Sequence, residues 1–164
     1  MKKSIIFFLD SNNYEIEMAR GKTSYFLKSH GFPDKAVHEQ IMILEELLKI
    51  CMQYSGFKSS QENMRVQIHI NRDKITFEVS SPINGIEKKQ LEELDKTIQF
   101  IHGYQDPFEA FLKLKEASGN GYKGLANGSK GLAMAKLAHE GKATLDFYVS
   151  EDNIINMSAI RRIN

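Results

Sequence analysis

Cysteine is nearly absent: the 164 residues contain one, Cys51. That excludes an internal disulfide and any cysteine-based zinc site. No sign of charge prevails, since 22 Lys and Arg face 21 Asp and Glu for a net charge of +1. With neither sign clustered, the chain lacks the electrostatic footprint of a nucleic-acid or acidic-membrane binder. Long hydrophobic runs are missing too. No segment approaches the roughly 20 apolar residues of a membrane span. The opening MKKSIIFFLD has a basic start, but its apolar run stops at Asp10 without a small-residue cleavage site, so a secretory leader is not expected and a cytoplasmic protein is. The five histidines, His30, His38, His69, His102 and His139, are scattered without ligand spacing. His38-Glu39 has no second histidine at the zincin offset, which excludes that class of metalloprotease.

What is present is organised around Ala36 to Gly56, AVHEQIMILEELLKICMQYSG. Val37, Ile41, Leu44, Leu48 and Cys51 step by three and four and line one helical face, while Ile43, Leu47, Ile50 and Tyr54 form a second apolar row beside it. A helix so apolar is buried on more than one side. Cys51, on that face, reads as a small buried hydrophobe. In the middle stand Glu45 and Glu46, carboxylates that are costly to bury unpaired. Lys49, four residues after Glu45, offers an i,i+4 ion pair.

The rest of the chain fits around this helix. Ser4–Leu9 reads as an opening strand, and Ser11, Asn12 and Asn13 are cap candidates for a helix from about Tyr14 to His30. Gly31 ends it and Pro33-Asp34 starts the central helix. Met64, Val66, Ile68 and Ile70 alternate with polar residues, as do Ile75, Phe77 and Val79, so Asn71–Lys74 joins an antiparallel hairpin with one buried face and His69 pointing outward. Helical spacing follows over Glu87–His102, and a short helix begins at Pro107. Ser118–Gly131 is glycine-rich, and its part from Ser118 to Gly128 is expected to be the least ordered internal stretch. Leu132–His139 reads as a helix, and a second hairpin turns at Ser150–Asn153. With no repeat or linker, the pattern predicts one α+β domain over residues 1–164. It is a two-layer α/β sandwich, with a mixed, mostly antiparallel sheet covered by helices on one face.

Three features interrupt the apolar pattern: Glu45-Glu46, the turn SPING at Ser81–Gly85, and the glycines ahead of Leu132. Each alone is nonspecific. In this order they resemble the ATP-binding domain shared by histidine kinases, gyrase and the Hsp90 family, and most of all the bacterial anti-sigma-factor serine kinases of partner-switching systems. EELLKICMQYS resembles the first box, a Glu-Glu pair with an Asn one turn later; FEVSSPING resembles the next, a strand ending in Asp-x-Gly-x-Gly; GSKGLAMAKLA resembles the last, glycines leading into a helix beside the phosphates. The resemblance implies a general base at Glu46 and nucleotide-binding positions at Ile50, Ser81, Gly85, Gly128, Gly131 and Leu132.

The departures fall on the residues that would do the chemistry. The Mg²⁺-holding Asn is Ile50, and an alkyl group offers no oxygen to a metal that demands oxygen ligands. The adenine-reading Asp is Ser81, the first glycine of its box is Ile83, and a glycine of the last box is Ala133. The resemblance therefore implies a bacterial regulatory protein with a degenerate ATP-binding domain, working through contacts with a small regulatory protein of sigma-factor or anti-sigma-antagonist type. ATP and Mg²⁺ would be held poorly, no residue is assigned to a metal, and a homodimer is left open. The alternative is an active ATP-dependent serine/threonine kinase of a partner-switching system, in which Glu46 activates a hydroxyl and the glycine segment closes over the phosphates.

Overall fold

A computed structural model describes residues 2–10, 15–59, 61–116 and 128–163. Ten elements follow one another: β1 (Lys2–Asp10), α1 (Ile16–Ser29), α2 (Asp34–Gln53), β2 (Asn63–Asn71), β3 (Lys74–Pro82), α3 (Lys88–His102), α4 (Pro107–Glu116), α5 (Gly128–Glu140), β4 (Thr144–Val149) and β5 (Ile154–Arg162). The five strands form one sheet in the order β1-β2-β3-β5-β4.

Alternation decides which face of the sheet is buried. Met64, Val66, Ile68 and Ile70 of β2 share a face with Ile75, Phe77 and Val79 of β3 and Ile155, Met157 and Ala159 of β5, and all ten join the core. The helices cover this face. On the other face His69 lies half-buried beside Gln67, Thr76 and Glu78, as its place in the alternation predicts. The architecture is the predicted two-layer α/β sandwich. Every strand pair is antiparallel, so the sheet is not mixed; among the described residues the parallel pairing is an isolated bridge between Gly56 and Ile83.

The hairpins close where turn residues permit. Arg72 (φ 54°) and Asn153 (φ 58°) take the left-handed conformation their tight turns require. The pairing of β3 with β5, from Lys74 opposite Arg162 to Pro82 opposite Ile154, unites the two halves of the chain.

The central helix is α2, 20 residues long. It touches α1, α5, β3 and β5. Both predicted apolar rows are buried apart from Ile41, which packs against the core partly exposed. Its start is fixed by the end of α1, where Gly31 (φ 88°) lets the Phe32 N–H reach the Leu27 carbonyl at 3.1 Å and its own N–H reach that of Lys28 at 3.0 Å.

Two helix starts differ from expectation. Helix α1 begins at Ile16 behind Glu15, while Ser11, Asn12 and Asn13 lie outside the described residues. Helix α5 begins at Gly128, not Leu132, so Gly131 is helical and buried. A helical glycine costs only about 1 kcal/mol relative to alanine, and the buried Met134, Ala135, Leu137 and Ala138 offset that cost. The remainder of the segment expected to be least ordered, 118–127, lies outside the described residues. Among the described residues, no helix is long and apolar enough to cross a membrane.

Candidate functional site

The end of α2 lies against the end of β3 on one side and against the start of α5 on another. The joint between α2 and β3 is built from backbone. Gly56, just past α2, donates its N–H to the Pro82 carbonyl at 2.7 Å, and its own carbonyl accepts from the N–H of Asn84 at 3.0 Å and from Asn84 Nδ2 at 2.9 Å. The approach is so close that a Cβ on Gly56 would stand 1.8 Å from the Asn84 carbonyl oxygen. Only glycine fits there. Gly85 (φ 81°) occupies the third position of the turn Ile83–Ile86, which is closed by the Ile86 N–H on the Ile83 carbonyl at 3.2 Å. Its surviving place in the SPING sequence thus has a backbone reason.

Ser81 is fully buried, and its Oγ lies 2.6 Å from that of Ser55. Ser55 donates to the Cys51 carbonyl at 2.9 Å, so the proton between the two hydroxyls comes from Ser81. The position that the resemblance assigns to adenine recognition is therefore engaged inside the protein. Ile50, assigned to the Mg²⁺ ligand, is 0% exposed within the core. At the start of α5, Lys130 places its ammonium 5.2 Å from the centre of the buried Tyr54 ring, which ties α5 to the end of α2. Gly131 is buried nearby in sequence and Leu132 half-buried, both on α5; Gly128 is its first residue.

Glu46 stands apart from this joint, two turns earlier on α2. Helices α2 and α5 run antiparallel, so Glu46 meets the far half of α5. It borders a crevice of about 30 Å³, room for little more than a water, with Met42, Lys136, Leu137, Glu140 and Gly141. Its carboxylate accepts from Lys49 at 3.2 Å, with 30% of the side chain exposed. Lys49 therefore serves Glu46 and not Glu45. Glu45 is taken by Arg20 of α1, whose Nε donates to it while its Nη1 pairs with Glu17 at 2.9 Å. The hydrogen bond to Glu45 holds the Arg20 guanidinium still more firmly protonated. Glu45 is thus ion-paired as expected, with a different partner. Arg20 is 25 residues away, and no local pattern announces it.

Burial pushes the Cys51 thiol up to about 12, and burial followed by the Glu93 carboxylate does the same to the Tyr54 phenol. Neither is poised as a nucleophile. Among the described residues, no group of three His, Cys, Asp or Glu could hold a metal ion.

No protein-family model matches the chain, and no curated protein matches it in sequence. Solved structures match it in fold. A chain in the crystal structure of the SiaB-SiaC complex from Pseudomonas aeruginosa superposes with a TM-score of 0.63 at 16% identity, over 97% of this chain and 89% of that one. At that identity the likeness is one of fold.

Proposed function

We propose that this chain is a bacterial regulatory protein that acts in signalling by binding a small partner protein, on a fold whose nucleotide site is degenerate. The observation that carries the reading is Ile50: a fully buried alkyl group stands where the resemblance asks for the oxygen ligand of Mg²⁺. The Ser81 hydroxyl, engaged by Ser55, adds to it. The contact role is supported by the fold neighbour, which comes from a complex of two proteins. The partner we assign is a small regulatory protein of the sigma-factor or anti-sigma-antagonist type, met in the cytoplasm.

The competing reading, an ATP-dependent serine/threonine kinase, is favoured by Glu46, which unlike Ile50 keeps part of its side chain in solvent. Phosphoryl transfer needs metal charge between protein and phosphates. Without an oxygen at position 50, a metal would rest on water and the phosphates. Titration calorimetry with ATP, with and without Mg²⁺, beside an Ile50→Asn variant separates the two. We expect no tight Mg²⁺-dependent binding by the unmodified protein. Tight Mg²⁺-dependent binding, or phosphorylation of a partner abolished by Glu46→Gln, would overturn the degenerate-site reading and make Glu46 a working base.

A further inference from the structure

Strand β1 stands at one end of the sheet order, so one of its edges faces no other strand among the described residues. An edge strand presents a row of unpaired N–H and C=O groups, and proteins blunt such edges with proline, a bulge, charge or shortness. Little of this protection is found on β1. It is nine residues long, contains no proline, and pairs with β2 without a slip from Lys2 opposite Asn71 to Asp10 opposite Asn63. Its charged residues, Lys2, Lys3 and Asp10, stand at its ends, with the uncharged run SIIFFL between them. The other edge strand, β4, is six residues long and carries Asp146 in its exposed row.

Apolar surface accompanies the open edge. Ile6 and Phe8, on the sheet face away from the helices, are 47% and 53% exposed. Their neighbours on β2 are Gln67 and Arg65, which give them no apolar packing. On the helix side a crevice of about 530 Å³ lies between β1 and α1, bordered by Lys3, Ile5 and the exposed ring of Tyr25. An added strand would cover both. The order of charges along β1 selects the strand that fits. A strand basic at its start and acidic at its end is complementary to its own reverse. Antiparallel pairing about Ile6 sets Lys2 opposite Asp10 of the copy, Lys3 opposite Leu9, Ser4 opposite Phe8, Ile5 opposite Phe7, and Ile6 opposite itself. All nine residues then pair and no like charges meet. Ile6 and Phe8 join their copies in one apolar cluster on the outer face. A parallel, in-register pairing would instead set like charges side by side.

We propose that two copies of this chain pair antiparallel through β1, about a two-fold axis at Ile6, and join their sheets into one. A two-fold contact of this kind closes on itself and leaves no β1 edge free. The dimer stands whether or not the joint of Ser81 and Gly85 binds nucleotide. Sedimentation of the full chain over a micromolar-to-millimolar series should show a reversible monomer–dimer equilibrium. The Ile6→Lys, Phe8→Lys double variant, altered at exposed side chains, should raise the dimer dissociation constant about tenfold or more. Its far-UV circular dichroism should match the parent's. An Ile6→Cys variant should cross-link to itself under mild oxidation, because directly opposed Cβ atoms lie about 5 Å apart. Tyr148→Cys, at an exposed position on the opposite edge strand, should not. Cys51, fully buried, stays in place in both. Should the lysine pair disturb folding, the cross-link still decides. A chain monomeric throughout the series would overturn the proposal and leave the edge to a strand of a different protein. A dimer undisturbed by the two lysines, or equal cross-linking from position 148, would overturn it as well.

Discussion

The hydroxyls of Ser55 and Ser81 lie 2.6 Å apart and bind the end of the central helix to the end of β3. Ser55 donates its own hydrogen bond to the Cys51 carbonyl, so a short chain of hydrogen bonds runs from strand to helix. Ser81→Ala breaks one link and leaves Ser55 with its carbonyl partner. The expected loss is about 1 kcal/mol. Ser81→Asp brings the resembled family's residue back but puts a carboxylate at a fully buried position. It should destabilise more than alanine in urea unfolding; an aspartate variant as stable as the parent would mean that the position has kept room for a charged acceptor.

Leu48 is 0% exposed in the central row of α2. Leu48→Ala should cost about 2–5 kcal/mol, the transfer term plus the cavity left behind. Chemical denaturation gives the value directly, and a change below 1 kcal/mol, on the order expected only at a surface site, would contradict the central place of this helix.

Gly56→Ala should be costly for the opposite reason. The added methyl would collide with the backbone oxygen of Asn84, which has no flexible end to move. Separating the two segments would give up the bonds of Gly56 to Pro82 and Asn84. The expected loss is about 1–3 kcal/mol, with faster hydrogen exchange at the Asn84 amide. Unchanged exchange there would show that the joint tolerates a side chain.

Alkaline solution should weaken the fold. The Cys51 thiol rises from an ordinary 9.0, and the Tyr54 phenol from 10.0, to about 12 in the folded chain. Each group binds its proton more tightly when folded, so its contribution is complete below the unfolded value and is lost as pH climbs through the folded one. Stability should fall between about pH 9 and 12, and the slope should flatten in a Cys51→Ala, Tyr54→Phe variant. A slope that stays the same would assign the alkaline loss to other groups. The buried thiol should also resist maleimide labelling until the protein is unfolded.

The local patterns of the chain were enough to place nearly every element. The two rows of α2, the alternation in β2, β3, β4 and β5, and the turn residues at Asn71–Lys74 and Ser150–Asn153 all depend on neighbours a few positions apart, and period alone reveals them. Gly31 and Gly85 were likewise legible, because a left-handed backbone favours glycine. Among the described helices the start of α5 departs furthest from the local pattern, because Gly128 and Gly131 read as loop. Glycine's low propensity is a weak local preference that packing on the rest of the helix overrides.

What only the tertiary structure decided lies in relations between distant residues. Arg20 claims Glu45 from another helix and leaves Lys49 to Glu46. Ser81 finds Ser55, Gly56 meets Asn84, and Lys74 comes to stand beside Arg162 through a pairing of strands some 80 residues apart in the sequence. A hydrogen bond or an ion pair acts over a few ångströms whatever the separation along the chain. Composition and periodicity carry no record of such partners. They are set by how the helices lie across the sheet and by which strands become neighbours.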